Sequence, residues 1–443
     1  MLVGLLGASS LSAQGTAMPR RDSIERVVRD RVAAGGSTGL AVAVIEPAGD
    51  GYTILASAGP AIHATTIFEI GSITKAFTGI LLADMAARGD VRLDQPVVEL
   101  LPPGTSIPAR NGKQITLEQL ATHTSGLPRL PSNLRPADPS NPYADYTPAL
   151  LYQFLAAYRL PRDPGATYEY SNLGAGLLGH ALAARAGTSF EELVRERILH
   201  PLGMTSTGIT LTPPMRDHLT AGHDADGNVV PLWDLAALAG AGALRSSLDD
   251  MTRFLAAVRT PSDDATGRAI ALATSPRFRV NSALSLGLGW HITTNRGDTL
   301  VWHNGGTGGF RTMIGVNTTT RGAMVLLGNS AQDNDDIVRH ALIGLPLASG
   351  ATRTEIALPE ETLAAYVGTY ELTQQFSLVV TLENGVLFVQ PTGQPKFRIY
   401  AEAPDKFFFK VVEAQLEFTR DQSGAVTNVT LVQNGRHVGR KVR

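Results

Sequence analysis

The sequence predicts an α+β fold, an α/β sandwich in which helices flank an antiparallel sheet, with an inserted all-helical region and a small antiparallel β-barrel domain after it. An apolar hairpin pattern over residues 40–58 precedes a mainly helical stretch that extends to about residue 255. Strand patterns return over residues 300–327, so both ends of this unit can join one sheet around the insertion. From residue 366 onward, short β-runs and tight turns indicate a barrel or sandwich.

The composition fits a globular protein of two domains. Of 443 residues, 43% are hydrophobic and 18% are charged, which provides a core and argues against extended disorder. The 38 basic and 40 acidic side chains nearly balance, so there is no electrostatic reason to expect nucleic acid or an anionic membrane as a partner. The sequence contains no cysteine and no H-E-x-x-H or similar ligand spacing. We therefore expect no metal and no cofactor.

Residues 1–14, MLVGLLGASSLSAQ, combine an apolar run with small residues around Ala13. This pattern is typical of the apolar segment and cleavage site of a secretory signal, although the positively charged start is lacking. We assign residues 1–20 to a signal-peptide-like or disordered segment and expect an exported protein, periplasmic or secreted, of bacterial type. The run is too short to span a bilayer, and no later stretch reaches about 18 uninterrupted apolar residues, so we expect no transmembrane span.

The predicted catalytic domain, residues 21–349, begins with a helix and a hairpin. Asp22 or Ser23 can cap this helix, which glycines at positions 35 and 36 end. Six prolines between residues 127 and 148 predict a long surface loop, and such loops are often functional. In chain order, the predicted elements are helix 22–34, strands 40–45 and 52–58, helix 72–89, the loop 127–148, strands 300–302, 312–316 and 323–327, and helix 335–343.

A linker is predicted at residues 350–358, and residues 359–443 are predicted to form the β-barrel domain. Turns such as 383–385 and 433–435 separate its strands. The eight predicted strands are 368–372, 376–382, 386–389, 397–401, 406–412, 415–418, 426–431 and 436–441.

Ser72 and Lys75 form an S-x-x-K pair at the start of the second predicted helix. Residues three apart stand on one helix face, about one turn apart, so the hydroxyl and the amine can meet. A serine becomes a useful nucleophile when a neighbouring base takes its proton. The spacing alone is a weak signal, because it also arises by chance on exposed helix turns.

Two further stretches contain side chains suited to the same chemistry. In residues 164–174, Tyr170 and Asn172 precede an apolar helix, and these residues can move a proton and bind an amide. In residues 302–310, His303 leads into glycines, whose missing side chains allow close approach to the backbone. Taken singly, these stretches also fit a buried tyrosine with a capping asparagine, and a glycine-rich strand end.

In this order, the three stretches resemble the serine β-lactamase and penicillin-recognising family, specifically its class C branch with the related D-alanyl-D-alanine carboxypeptidases and esterases. S-x-x-K is the first motif of that family. Here residues 170–172 give the Y-x-N form of the second motif, and residues 303–305 give an H-x-G form of the third, where other members carry K-T-G. Supporting resemblances are residues 123–128 (HTSGLP), 201–204 (PLGM) and 242–247 (GALRSS).

The resemblance implies roles for these residues. Ser72 would attack a carbonyl and form an acyl-enzyme, with Lys75 and Tyr170 sharing the general-base role; which of the two holds the proton stays open. Backbone N–H groups of Ser72 and Gly306 would form the oxyanion hole. Asn172 would orient Lys75 and contact a substrate amide. Tyr170 would activate the hydrolytic water, since no glutamate-containing loop of the class A kind is evident.

The departures from the family pattern concern the substrate, which we expect to be a small molecule or a peptide. His303 is a weaker, pH-dependent cation than the K-T-G lysine, Asn304 replaces the hydroxyl, and Gly305 and Gly306 complete the predicted substrate-binding strand. Arg129 and Leu130 stand where class C enzymes carry a glutamine. These changes favour a peptidase, amidase or esterase with some β-lactam reactivity. The alternatives are a carboxylesterase of the same fold and a non-catalytic binding or assembly relative.

Three other patterns in the sequence favour structural interpretations. Residues 35–39 match G-x-S-x-G, but a helix precedes this serine and a strand follows it, the reverse of a nucleophile elbow. The pair Asp224 and Asp226 lacks the remaining ligands of a calcium loop, so a hairpin tip is favoured there. Four histidines are predicted to be structural or at the surface: His123, His200, His218 and His223.

The C-terminal domain resembles the lipocalin-like domains appended to some hydrolases of this family. The resemblance depends on the strand pattern and on the opening YVGTY of residues 366–370. We expect this domain to cover the mouth of the active site or to mediate formation of a homo-oligomer.

Overall fold

The structure, a computed structural model, describes residues 17–35, 37–295, 297–348, 353–374, 376–392, 394, 396–412, 414–433 and 435–442. The signal-like run at residues 1–14 lies outside the described residues, as does the first part of the predicted linker. The α-helices described are α1 (Arg21–Ala33), α2 (Thr74–Ala87), α3 (Leu117–Ala121), α4 (Pro148–Ala157), α5 (Asn172–Ala186), α6 (Phe190–Val194), α7 (Pro213–Asp217), α8 (Leu248–Arg259), α9 (Ala265–Ala273), α10 (Asp335–Leu342) and α11 (Glu360–Ala364).

The β-strands described in the first unit are β1 (Gly39–Ile45), β2 (Gly51–Ser57), β3 (Ile67–Glu69), β4 (Gly222–His223), β5 (Val229–Val230), β6 (Arg245–Ser247), β7 (Phe278–Arg279), β8 (Leu284–Leu286), β9 (His291–Asn295), β10 (Asp298–Gly306), β11 (Arg311–Asn317) and β12 (Ala323–Gly328). Those of the C-terminal unit are β13 (Gly368–Thr373), β14 (Phe376–Glu383), β15 (Val386–Pro391), β16 (Phe397–Arg398), β17 (Tyr400–Ala403), β18 (Lys406–Phe408), β19 (Gln415–Arg420), β20 (Val426–Val432) and β21 (Arg436–Lys441).

An eight-stranded antiparallel sheet forms the centre of the first unit, in the order β2-β1-β12-β11-β10-β9-β8-β7. The N-terminal hairpin β1–β2 and the late strands β10–β12 therefore share one sheet, as predicted. Strand β1 pairs directly with β12, with Val42 opposite Leu326. Strands β7–β9, which extend this sheet, were not predicted, because they are short and include few consecutive apolar residues.

Helices cover both faces of the sheet. On one face, α1 and α10 bury Ile24, Val28 and Ile337 against the strands. On the other face lies the larger core, where Phe77 of α2 stacks on Phe254 of α8 with ring centroids 4.2 Å apart. This arrangement confirms the predicted α+β sandwich.

The predicted cap of the first helix is wrong. Helix α1 begins at Arg21, and its N-cap residue, Arg20, makes no side-chain capping hydrogen bond. Asp22 lies inside the first turn, where its negative charge interacts favourably with the positive end of the helix dipole. Burial of the helix face, including Ile24 and Val27, rather than a polar cap fixes where this helix lies.

The inserted region between β3 and β6 carries helices α2–α7. Within it, the predicted loop of residues 127–148 contains neither helix nor strand until α4 begins at its last residue. Tyr146 donates to Asn133 Oδ1 at 3.0 Å, and Asn133 donates to the Leu150 carbonyl at 2.9 Å. These bonds fix the loop, whose beginning lies at the candidate site.

The C-terminal unit is a nine-stranded antiparallel sheet, nearly closed like a barrel, in the order β16-β15-β14-β13-β21-β20-β19-β18-β17. Its core includes Tyr366, Tyr370 and Phe418, with the Tyr366 and Phe418 ring centroids 4.8 Å apart. One of the eight predicted strands, 397–401, is divided into β16 and β17. Another, 406–412, ends at Phe408.

The tip of the β4–β5 hairpin joins the two units. Asp226 accepts hydrogen bonds from Arg398 at 2.8 Å, from Tyr400 at 3.0 Å and from Lys410 at 3.4 Å. The backbone N–H of Asp333 also donates to the Lys410 carbonyl at 3.2 Å. Residues 224–228 are thus a hairpin tip, as predicted, and they anchor the C-terminal unit. Over the described ranges, no helix has the length and apolar character needed to cross a membrane.

Candidate active site

Ser72 lies in a short 3₁₀ turn, Gly71–Ile73, that connects β3 to α2. The turn begins at Gly71 with a φ of +51°, a left-handed conformation that glycine adopts without steric cost. A β-carbon on Gly71 would lie only 2.8 Å from the backbone nitrogen of Gly306. The glycine therefore allows the turn that carries Ser72 to contact the end of strand β10.

Lys75 lies one turn further along the helical segment, and its amine reaches Ser72. Lys75 Nζ and Ser72 Oγ form a hydrogen bond at 2.9 Å, and Nζ also donates to the carbonyl oxygen of Ala241 at 2.6 Å. Lys75 is 1% exposed. Burial, and then the nearby charge of Arg129, hold the pKa of Lys75 well below its usual value of 10.5. The neutral amine, a proton acceptor, is thereby favoured.

Tyr170 is placed by the turn that precedes α5. Ser171 Oγ caps this helix by accepting from the Gly174 N–H at 2.8 Å, and it donates to the Pro128 carbonyl at 2.6 Å. The Ser171 N–H donates to Nδ1 of the buried His123 at 3.1 Å. The Lys75 amine lies 4.9 Å from the centroid of the Tyr170 ring. Burial raises the pKa of Tyr170, while a side-chain hydrogen bond with Ser72 acts in the opposite direction, so the phenol stays protonated at neutral pH.

Asn172 begins α5 and lines the cavity next to Ser72. Its backbone N–H donates to the Arg129 carbonyl at 3.0 Å. Its Oδ1 is buried and has no hydrogen-bond partner among the described residues, which leaves an acceptor for a substrate amide. The Lys75 amine donates to the carbonyl of Ala241, and the role of Asn172 in orienting Lys75 stays a prediction.

Strand β10 brings the third stretch to the turn that carries Ser72. A β-carbon on Gly305 would lie 2.0 Å from the Ile70 carbonyl oxygen and 2.4 Å from Thr312 Oγ1. Thr312 donates to that same carbonyl at 2.9 Å. Gly305 therefore permits close packing against the protein's own backbone at the edge of the cavity. Gly306 is exposed and lines the cavity.

The structure corrects the expectation that His303 offers a cation to the substrate. His303 is 0% exposed, and its Nδ1 bonds to the Asn304 carbonyl at 2.6 Å. Burial holds the pKa of His303 well below 6.5, so the ring is neutral at neutral pH. Asn304 does line the cavity, but its amide nitrogen donates to the buried Asp335 at 2.6 Å. Neither residue presents a positive charge.

Three buried histidines surround the side chains of Lys75 and Tyr170. They are His123, His291 and His303, and the His291 and His303 ring centroids lie 5.1 Å apart. Burial lowers the pKa of all three, that of His291 to about 4. These neutral rings place no competing charge beside the amine. His123 is buried, which is consistent with the structural role predicted for it. His291 was missed, because it begins β9, one of the strands that the sequence pattern did not indicate.

A cavity of about 500 Å³ opens at Ser72. The first unit lines it with Arg129, Tyr170 and Asn172. The C-terminal unit lines the cavity as well, which agrees with the prediction that this domain covers the mouth of the active site. It contributes apolar side chains from several strands and loops: Phe376, Leu378, Phe397, Phe409, Val411 and Leu431. Which side chains form this apolar wall could not be predicted from the sequence, because that depends on how the two units pack.

The structure thus brings Ser72, Lys75, Tyr170, Asn172 and Gly306 together at one cavity. Gly305 also lines the cavity, whereas His303 is fully buried. Within the described ranges, no group of three or more histidine or acidic side chains is arranged to hold a metal ion.

Comparisons with known proteins find similar chains among bacterial proteins. The chain is 30% identical over 261 residues to the D-alanyl-D-alanine-carboxypeptidase/endopeptidase AmpH of Escherichia coli (strain K12), which covers 57% of this chain and 66% of that relative, just under two thirds of its length. It is 25% identical over 405 residues to the penicillin-binding protein 4* of Bacillus subtilis (strain 168), covering 85% of this chain and 87% of that relative. It is 29% identical over 299 residues to a beta-lactamase of E. coli (strain K12), covering 66% and 75%.

Family models match both units. Residues 352–438 match a domain of unknown function, DUF3471. Residues 24–348 match the family model described as Beta-lactamase. This range makes up most of the chain and contains all three motifs. The chain therefore belongs to the beta-lactamase family.

Proposed function

We propose that the protein is a serine hydrolase that cleaves amide or ester bonds through an acyl-enzyme on Ser72. The observation that carries this proposal is the 2.9 Å hydrogen bond between Ser72 Oγ and a buried Lys75 amine with a lowered pKa. A neutral amine at that distance can accept the serine proton as the oxygen attacks. The raised pKa of Tyr170 keeps its phenol protonated and so makes it a donor.

In the acylation step, Ser72 Oγ forms a bond to the substrate carbonyl carbon and passes its proton to Lys75. Backbone N–H groups of Ser72 and Gly306 would stabilise the resulting oxyanion. The intermediate then collapses with cleavage of the bond to the leaving group. Tyr170 gives its proton to the leaving group and regains one from the Lys75 ammonium, which lies beside its ring. Both residues return to their starting protonation states.

In the deacylation step, water attacks the ester carbonyl carbon. Its proton passes through Tyr170 to Lys75, and from Lys75 to Ser72 Oγ when the acyl bond breaks. The free acid leaves, and the resting enzyme is restored. Tyr170 thus takes part in the activation of water, as the family resemblance implies, while Lys75 holds the proton only transiently in each half-reaction.

We place the enzyme in the class C branch, with the Y-x-N form at residues 170–172 and the H-x-G form at residues 303–305 as support. The names of its relatives include a carboxypeptidase/endopeptidase and a beta-lactamase. A β-lactam, a D-amino-acid peptide and a small ester are therefore the candidate substrate classes. Because the third motif offers no cation, we rank β-lactam hydrolysis below amide and ester hydrolysis.

Labelling with a fluorescent fluorophosphonate or penicillin tests the acyl-enzyme. Wild type should label at a single site, and Ser72→Ala should not label. Equal labelling of the two proteins would favour the non-catalytic binding or assembly relative instead. Turnover of nitrocefin, a short p-nitrophenyl ester and D-alanyl-D-alanine on one preparation then ranks the substrates. A kcat/KM for nitrocefin far above the other two would contradict our ranking.

The apolar wall contributed by the C-terminal unit favours one specific alternative, a carboxylesterase. Phe397 and Phe409 lie on this wall and are only partly buried. A substrate that extends from Ser72 across the cavity would bury apolar groups against them, at about 25 cal/mol per Å². Acyl or alkyl chains of increasing length should therefore bind with increasing strength.

A series of p-nitrophenyl esters from acetate to octanoate tests this alternative. For wild type, kcat/KM should rise with chain length, and Phe397→Ala or Phe409→Ala should flatten the rise. Val379→Ala, on the outer face of the same domain and 37% exposed in wild type, is the matched control. An unchanged chain-length profile in both wall variants would exclude a role of this wall in substrate binding.

Two further proposals concern the whole chain. We propose export, with the signal-like pattern of residues 1–14 as support. Cell fractionation and N-terminal sequencing of the mature protein test this.

We also propose that the C-terminal domain can mediate a homo-oligomer, since it carries the exposed Val438 and Val442. Light scattering of wild type and a Val438→Ser variant tests the second proposal; equal masses at monomer size would refute it.

A further inference from the structure

Arg129 carries a positive charge at the cavity, and no acidic side chain among the residues that the structure describes forms an ion pair with it. Within the described part of the chain, its guanidinium has neither an ion pair nor a hydrogen bond, and none of the residues that line the cavity is acidic. The other arginine there, Arg311, forms ion pairs with Asp333 at 3.3 Å and with Asp335. Arg129 is therefore the cation of this cavity that is available to a ligand.

The backbone of Arg129 is fixed to the candidate catalytic machinery. Its carbonyl accepts from the N–H groups of Asn172 at 3.0 Å and Leu173 at 3.2 Å. Its guanidinium carbon lies 5.1 Å from the centroid of the Tyr170 ring, in the range of a cation–π contact. The charged group is thus held above the Tyr170 ring while its five N–H donors remain unused by the protein.

We propose that Arg129 forms an anion-binding subsite beside Ser72 that selects substrates bearing a carboxylate. The inference rests on the proposed hydrolase function. A partly buried guanidinium without a partner loses hydration, and a bidentate carboxylate restores both charge balance and hydrogen bonds. The third strand does not perform this task, because His303 is buried and Asn304 already bonds to Asp335.

A second role for Arg129 would be purely electrostatic, and it must be distinguished from recognition. The charge of Arg129 lowers the pKa of both Lys75 and Tyr170, although burial is the larger influence on each. Loss of that charge would change the chemistry equally for every substrate. Recognition of an anion would instead affect only substrates that carry one. The ratio of rates for a charged and a neutral substrate therefore separates the two roles.

Matched esters provide this ratio: the mono-p-nitrophenyl ester of glutaric acid, which keeps one carboxylate, and p-nitrophenyl pentanoate, which is neutral and of similar length. We expect Arg129→Gln to lower the ratio of their kcat/KM values by about 10- to 100-fold, as loss of a charge-assisted hydrogen bond predicts, mainly through KM of the glutarate. Arg129→Lys, which keeps the positive charge, should recover part of the lost preference for the charged ester. The succinate and adipate half-esters vary the distance of the carboxylate. Arg135→Gln removes an exposed arginine from the same loop and should match wild type.

An equal loss for both esters, with a shifted pH profile, would overturn the proposal in favour of the electrostatic role. An unchanged ratio in Arg129→Gln across all three half-esters would overturn it as well. If wild type hydrolyses neither ester and labels no better than Ser72→Ala, the hydrolase function fails instead. Calorimetric binding of glutarate mono-p-nitroanilide to Ser72→Ala, with and without Arg129→Gln, then decides on the subsite: weaker binding in the double variant supports it, and equal binding refutes it.

Discussion

The Lys75 amine lies 2.9 Å from the Ser72 hydroxyl, and its side chain is almost fully buried. No acidic side chain forms an ion pair with Lys75 among the residues described, and its amine also donates to the carbonyl of Ala241. An ordinary salt-bridged lysine would hold its proton and be a poor base. Here burial favours the neutral amine, so the geometry and the electrostatics both suit proton transfer.

The first prediction concerns the pH dependence of acylation. Because the pKa of Lys75 is held well below 10.5, the amine is neutral above that lowered pKa and gains a proton below it. The rate of labelling of Ser72 by a neutral ester probe should therefore be constant in the alkaline range and fall as the pH drops through the lowered pKa. Stopped-flow single-turnover measurements give this profile.

Lys75→Arg is the matched variant for this profile, since arginine keeps its proton across the accessible range. It should label more slowly than wild type by at least about 100-fold, in line with loss of a general base. A wild-type rate that keeps rising up to pH 10.5 would show that Lys75 titrates as an ordinary, hydrated lysine, and would remove it as the resting base.

The second prediction concerns the two glycines at the end of β10. Gly305→Ala would place a β-carbon 2.0 Å from the Ile70 carbonyl, two residues before Ser72. Overpacking of this kind typically costs about 1–3 kcal/mol, and the backbone that carries Ser72 has to move. We expect a lower free energy of unfolding in urea together with a loss of kcat.

Gly306→Ala is the control for Gly305→Ala. A β-carbon there would have no atom nearer than Arg311 Nη1 at 3.6 Å, so the free energy of unfolding should stay within about 0.5 kcal/mol of wild type. If the two variants are equally stable, the contact between β10 and the Ser72 turn is not as tight as described.

The motifs could be predicted from the sequence because local rules fix them. The i,i+3 spacing places Lys75 beside Ser72 on any helix, and the strand patterns place residues 300–327 in the sheet of the first hairpin. The fold class follows from the same patterns, since the period of the apolar residues indicates whether a segment is a helix or a strand and which face is buried.

The remaining features depend on tertiary packing, which one sequence does not contain. Whether a strand residue such as His303 faces a cavity or the core depends on what packs against each sheet face. The role of Gly305 is set by its distance from Ile70, more than 200 positions earlier in the chain. The unpaired state of Arg129 follows from the absence of a nearby carboxylate among the described residues. The apolar wall follows from contact between the two units.

The third prediction concerns the junction between the two units. Asp226 accepts from Arg398, Tyr400 and Lys410. Asp226→Asn removes the charge but keeps the shape, and should weaken the junction by about 1–2 kcal/mol, since these groups are only partly buried. We expect the two units to separate in small-angle scattering, more so at high salt. Glu383→Gln, at an exposed ion pair with Lys396 inside the C-terminal unit, is the control. Identical scattering of wild type and Asp226→Asn would show that other contacts hold the junction.

The last prediction concerns acid stability, to which the three buried histidines should contribute between pH 6.5 and about 4. In the unfolded chain each histidine binds a proton near pH 6.5, whereas burial lowers the pKa of His123, His291 and His303 in the folded protein, that of His291 to about 4. Because the unfolded state binds more protons, the free energy of unfolding should fall as the pH drops, by about 1.4 kcal/mol per pH unit for each histidine. His303→Asn should reduce this slope by about one third of the histidine contribution, as measured by urea unfolding at several pH values, while the exposed His218→Asn should not. A slope in His303→Asn equal to that of wild type would mean that His303 binds its proton equally in the folded and unfolded states.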